Sequence, residues 1–177
     1  MKGLKNNNLN YYSWKKILKP PCHVVEELKI LLNLLSKNKN LKIVDFGAGG
    51  GRLTIPLLKR GFQVLAVDID KNARKQLKKL ALKLGFIKKL KITKSLEKNK
   101  KYDYIIGTDV LHHINIKKYF SVFKRHLNKN GKIIFSEPNL LNISWLIFIS
   151  LFLNWREEKG IFQCSYFYLK NYLKKTG

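Results

Sequence analysis

The sequence predicts an α/β fold, a doubly wound and mostly parallel sheet with helices on both faces. Short apolar runs of strand length recur at Leu41–Phe46, Phe62–Val67, Tyr104–Gly107 and Lys132–Ser136, with segments of helical periodicity between them. Strands covered by helices on both faces read as such apolar runs. The second observation is a turn, in which Ile43-Val44-Asp45-Phe46 feeds directly into Gly47-Ala48-Gly49-Gly50-Gly51-Arg52-Leu53 and then into a helical pattern. Glycines at such a turn permit positive φ and allow a ligand closer to the backbone than a Cβ would. The third is Asp68, at the end of the next run and about 20 positions after the turn, where a carboxylate can grip a ribose diol. Turn and acid together predict one site for an adenosine-like ligand.

Taken in order, residues 1 to 20 are polar until Tyr11, Tyr12, Trp14, Ile17 and Leu18, whose clustering predicts a flap that Pro20-Pro21 ends. Val24, Val25, Leu28, Leu31, Leu32 and Leu35 recur at helical spacing, with Glu26 and Glu27 near the start, where the helix dipole favours acids. The first strand is expected over Leu41–Phe46, a helix over Leu53–Lys59 stopped by Gly61, and the second strand over Phe62–Val67. A long helix follows from Asp70 to Leu84, with Ala73, Leu77, Leu80, Ala81 and Leu84 on one face and Gly85 as its stop. Lys88–Thr93 is a short third strand. The linker Lys94–Lys101 is too short and polar for more than one helical turn. Tyr104–Gly107 is the fourth strand, Ile116–Leu127 a helix, Asn128-Lys129-Asn130-Gly131 a turn and Lys132–Ser136 the fifth strand. Ligands of such sheets sit at the carboxyl ends of the strands where the winding reverses. Asp45-Phe46-Gly47 and Thr108-Asp109-Val110-Leu111-His112-His113 should therefore open onto one crevice.

Composition narrows the class. The chain of 177 residues has the length of a single domain. Cys22 and Cys164 are far apart and outside any metal-ligand spacing, which favours two free thiols in a reducing compartment over a disulfide, and no metal site is expected. The opening Met1–Asn6 is not followed by an apolar run of signal-peptide length, so a cytoplasmic protein is expected. The longest apolar stretch, Leu140–Leu153, is about 14 residues and carries Asn142 and Ser144, short of the roughly 20 that span a bilayer. No transmembrane segment is expected there; a buried or lid helix is. The formal charge of +25, from 36 Lys+Arg against 11 Asp+Glu, admits a nucleic-acid partner. The excess is mainly lysine, spread along the chain beside much Asn and Ile, so solvated lysine faces are favoured over a specific nucleic-acid groove, with weak nonspecific attraction to RNA retained.

The Asp45-x-Gly47-x-Gly49-x-Gly51 turn, Val67-Asp68-Ile69, the run from Tyr102-Asp103 to Leu111-His112-His113-Ile114, Leu127-Asn128-Lys129-Asn130-Gly131 and Phe135-Ser136-Glu137-Pro138-Asn139 stand in order. With these motifs the sequence resembles the class I S-adenosylmethionine-dependent methyltransferases, in the form seen in small-molecule enzymes, over residues 40 to 139 at least. The resemblance implies a Rossmann-like methyltransferase fold and S-adenosyl-L-methionine as cofactor, held by Asp45, Gly47, Gly49, Gly51, Asp68, Ile69, Thr108 and Asp109. A nicotinamide-binding turn would place its third glycine at position 52, where this chain has Arg. An acid at Asp45 would also repel a pyrophosphate, whereas it suits an ammonium and a sulfonium. Where family members carry an adenine-binding acid after the third strand this chain has Lys94-Ser95, leaving that contact to backbone groups or Ser95.

The resemblance also singles out His113 as the candidate catalytic residue, either as a base or as a group that positions the acceptor. His112 is expected to be exposed. Glu137 is expected either to touch the acceptor or to cap the next helix. An Asn/Asp-Pro-Pro-aromatic run, which grips a flipped base in nucleic-acid enzymes, does not follow the fourth strand. Ile143, Trp145, Leu146, Ile147, Phe148, Leu151, Phe152 and Trp155 form either an apolar wall beside the site, pointing to a small apolar or lipid-like acceptor, or core packing. The expected organisation is a flap at 1–21, a cofactor-binding core at 22–139, and a lid and helix of the same domain at 140–177. The alternative is a domain that binds the cofactor without turnover and serves as a partner or RNA-binding module. In the family two further strands follow the helix like Tyr166–Lys175, so the chain is expected to be C-terminally truncated and to expose Lys132–Phe135 as an edge prone to self-association.

Overall fold

The computed structural model describes residues 13–138, 142–143, 147, 150–151 and 159–176. Five strands, β1 (Lys42–Phe46), β2 (Gln63–Val67), β3 (Leu90–Thr93), β4 (Tyr102–Thr108) and β5 (Leu127–Ser136), form one sheet in the order β3-β2-β1-β4-β5. All four pairings are parallel. The winding reverses between β1 and β4, so the predicted crevice lies at their carboxyl ends. The doubly wound parallel sheet predicted from the apolar runs is therefore the fold observed.

Strand alternation sorts the core into two layers, because successive side chains point to opposite faces. On one face Ile43, Val64, Ala66, Tyr104 and Ile106 meet α1 (Trp14–Leu18), α2 (Cys22–Asn33), α3 (Thr54–Lys59) and α4 (Lys71–Lys83) through Ile17, Leu28, Leu57, Leu77 and Leu80. On the other, Val44, Leu65, Val67 and Ile105 meet α5 (Ile116–His126) through Phe120 and Phe123, and α6 (Tyr166–Thr176) through Leu169 and Tyr172. The Phe123 ring meets Phe46 edge-on at 4.9 Å and stacks on Phe135 at 5.6 Å. Two helices start where their caps dictate: Asp70 accepts from the Asn72 amide and Asn115 from the Lys118 amide. Val25, placed by periodicity on the apolar face of α2, is exposed.

The predicted turn at Asn128–Gly131 lies inside β5. Tyr102 pairs with Leu127 but Tyr104 with Lys132, so the intervening residues of β5 loop out as a bulge. The Asp103 carboxylate secures it, accepting from Asn128 Nδ2 at 2.6 Å and from the Lys42 amide at 2.8 Å. The linker 94–101 holds no helix, within the expected limit of one helical turn. Among the described residues no strand pairs with the free side of β5. Tyr11 and Tyr12 of the flap and Trp145, Leu146, Phe148, Phe152 and Trp155 of the lid lie outside the described residues. Of that apolar segment Ile143, Ile147 and Leu151 are described, and all three are exposed, which excludes core packing for them. No described helix is long and apolar enough to cross a membrane.

Candidate functional site

The glycine turn is fastened to the end of β2 by its own backbone. Gly47, Gly49 and Gly51 have φ of 77°, 51° and 104°, in the left-handed region that glycine enters without steric cost. The Gly47 and Ala48 amides both donate to the Val67 carbonyl, at 2.8 and 3.0 Å, and the Gly49 amide donates to Asp68 Oδ2 at 2.7 Å. Asp68 Oδ1 accepts from the Asp70 amide at 2.7 Å. Turn and acid, predicted to make one site, thus form one hydrogen-bonded unit.

Two of the glycines are also required by packing. A Cβ on Gly47 would lie 2.4 Å from Val110 Cγ2, and one on Gly51 would lie 2.6 Å from Leu77 Cδ1. The turn is therefore clamped between the loop after β4 and helix α4. A side chain at Gly51 would enter the core, against Leu77 and Ile55.

Asp45 does not open onto the crevice either. It is 1% exposed and accepts a 2.5 Å hydrogen bond from Thr54 Oγ1. Burial pushes its carboxyl up to about 7; the Thr54 hydrogen bond opposes this, the charge of Asp68 adds to it and Arg52 opposes it. Any attraction of Asp45 for a cation is thus indirect and weakened by partial protonation near neutral pH. The same burial makes stability depend on pH. The folded state holds the proton more tightly than the unfolded chain, so the stability from Asp45 is fully present below 3.8 and is lost as pH rises to about 7. The loss amounts to roughly 4 kcal/mol. Asp45→Asn is expected to flatten this decline between pH 4 and pH 8 in urea unfolding; an unchanged slope would show that Asp45 ionises normally in the fold.

The opposite wall comes from the end of β4. Thr108 pairs with Ser136, and the Asp109 amide donates to the Ser136 carbonyl at 3.0 Å. Asp109 has φ of 52°, unusual for a non-glycine residue, and receives Arg52 Nη2 at 2.5 Å. Arg52 also reaches Glu27 Oε2 at 3.5 Å, so one guanidinium links α2, the glycine turn and the β4 loop. Sequence reasoning treated Arg52 only as an obstacle to a nicotinamide turn, although a lone cation directly after the glycines was a usable signal. Ile69, beside Asp68, is 57% exposed and offers apolar surface for a flat ring. Ser95 is exposed, with its carbonyl accepting from Thr93 Oγ1 at 2.8 Å.

His112 corrects the expectation: it is buried, with Nδ1 at 2.6 Å from Glu137 Oε2. The Val110–Leu111 backbone turns it inward, while His113 is exposed, its ring centroid 3.9 Å from that of His112. Glu137 does not face outward. It accepts from the Val110 and Leu111 amides and so caps the turn after β4. The described clefts elsewhere, one lined by Ser36, Leu41, Asp103 and Tyr104 and one along α6, lack this convergence of glycine backbone and carboxylate.

The sequence pattern of the methyltransferase domain family matches residues 22–177. This chain belongs to that family. A ubiquinone biosynthesis O-methyltransferase of Rickettsia prowazekii is 32% identical over 129 residues, which cover 70% of this chain and 49% of the relative. Its counterpart in Pelagibacter ubique is 32% identical over 106 residues, covering 57% and 43%. This methyltransferase domain spans about half the length of the curated relatives it matches. Among solved structures, a protein of Pyrococcus horikoshii OT3 superposes with a TM-score of 0.58 at 26% identity, covering 72% of this chain and 58% of that one. A glycopeptide N-methyltransferase solved with S-adenosyl-L-methionine gives 0.56 at 15% identity over 61% and 52%, a likeness of fold. S-adenosylmethionine is the methyl donor of the family.

Proposed function

We propose that this domain transfers a methyl group from S-adenosylmethionine to an oxygen of a small, apolar acceptor, a phenolic hydroxyl being the class that suits the relatives' names. The carrying observation is Asp68. A carboxylate accepts about four hydrogen bonds, and two backbone amides occupy one site on each oxygen. Asp68 is half-buried, and each oxygen retains capacity for one ribose hydroxyl, so the residues present fit the adenosine group. When bound, S-adenosylmethionine supplies a methyl carbon already activated by its sulfonium.

The remaining work falls to the chain: to align the acceptor and to exclude water. A phenol ionises near pH 10, so proton removal by a nearby group assists its attack. His113, exposed at the end of β4, is the group assigned to the acceptor, and exposed Ile143, Ile147 and Leu151 favour an apolar one. His113→Ala is expected to cut turnover by about 10²- to 10⁴-fold if the ring takes the proton, with cofactor affinity held within about twofold. Turnover that recovers at high acceptor concentration would assign it to positioning instead, and loss of cofactor binding would contradict both roles.

The function is tested with the full chain, methyl-labelled S-adenosylmethionine and a panel of small phenols and catechols, with RNA in parallel. Label in an ether product is the expected result. Label in RNA alone, or none despite cofactor binding, would overturn it.

A further inference from the structure

Behind His113 lies a buried carboxylate whose work the methyl-transfer reading leaves unassigned. The Glu137 side chain is 7% exposed and that of His112 is 4%. Oε1 of Glu137 accepts from the Val110 amide at 2.8 Å and the Leu111 amide at 2.7 Å, and Oε2 meets His112 Nδ1 at 2.6 Å. A carboxylate only accepts, so the proton of this bond belongs to Nδ1. Cys164 Sγ stands 3.9 Å from Oε2, and burial pushes its thiol up to about 12, so it stays neutral beside the acid.

The surroundings hold the pair in place. Pro138 biases Glu137 to extended backbone. Gly160 packs on the other side, where a Cβ would fall 1.7 Å from the His112 carbonyl oxygen. The turn at Leu111–His113 is a single 3-10 turn, too short to be rigid by itself. Three hydrogen bonds to Glu137 hold it, two of them from backbone and one from imidazole.

We propose that Glu137 and His112 are a positioning pair, in which Glu137 fixes the Nδ1–H tautomer of His112 and pins residues 110–113 so that His113 meets the acceptor in one orientation. The consequence for turnover rests on the methyl-transfer reading; the tautomer does not.

The test is nitrogen-15 NMR of the four histidines in the full chain, combined with calorimetry using S-adenosylhomocysteine. In the unaltered protein His112 is expected to carry its proton on Nδ1. In Glu137→Gln the amide oxygen keeps the Val110 and Leu111 bonds while its NH₂ group now donates to Nδ1, so neutral His112 switches to Nε2–H. Cofactor-product affinity should stay within about twofold and kcat with phenols should fall by about ten- to a hundredfold. An unprotonated Nδ1 in neutral His112 of the unaltered protein would overturn the proposal without any variant. A switched tautomer with unchanged kcat would overturn it as well. Absence of turnover in the unaltered protein counts against the proposed function instead, and the tautomer then decides the pair.

Discussion

Gly47→Val is expected to destabilise the domain by about 2–5 kcal/mol. Two costs combine. At φ of 77° a side chain adds about 1–2 kcal/mol of backbone strain. The new Cβ would also stand 2.4 Å from Val110 Cγ2 and 2.8 Å from Val110 Cβ, and overpacking of this kind costs about 1–3 kcal/mol. Val110 has no easy retreat, because its amide is held by Glu137 and it is β-branched. Against a total of about 5–15 kcal/mol this is a large fraction. Thermal unfolding should shift down by roughly 5–20 °C. The pair Gly47→Ala with Val110→Ala separates the causes: it should recover the part owed to the Val110 methyl groups relative to Gly47→Ala alone and retain the strain and the contact with Cβ of residue 110. No recovery would show that Val110 does not clamp the turn.

Asp68→Ala is expected to weaken S-adenosylmethionine binding by about ten- to 150-fold, equal to about 1.5–3 kcal/mol for charge-assisted hydrogen bonds. The same change strands the Gly49 and Asp70 amides, which donate to Asp68 at 2.7 Å, so the turn itself should loosen. A linked effect distinguishes this from simple unfolding. The charge of Asp68 helps to push Asp45 up, so its removal should shift the pH-dependent loss of stability to lower pH in the folded variant. Calorimetry showing unchanged affinity in a folded Asp68→Ala protein would refute the assigned role.

The sheet was legible because its signals are local. Each strand is a short apolar run, and each intervening helix carries its own periodicity and stops, as Ala73, Leu77, Leu80 and Ala81 before Gly85 illustrate. The positive φ at Gly47, Gly49 and Gly51 and the nearness of Asp68 to that turn follow from the same local pattern, since sequential strand ends of a parallel sheet lie side by side. The start of β5 was harder to place, because the bulge at Asn128–Gly131 depends on Asp103 of the neighbouring strand.

What each site residue touches was decided only by the tertiary structure. Asp45 and Asp68 are both acids at strand ends, yet one is sealed against Thr54 with its carboxyl pushed up to about 7, and the other remains half-exposed with hydrogen-bonding capacity to spare. Gly51 answers to Leu77, 26 positions on in a helix whose docking no local pattern encodes. His112 and His113 are chemically identical and adjacent, but the turn after β4 sends one inward to Glu137 and the other outward. Sequence alone therefore determined the sheet, the turn and the family resemblance, which depend on neighbours in the chain. Burial and partnership depend on residues brought together across it, and those set the charge of Asp45, the tautomer of His112 and the direction of His113.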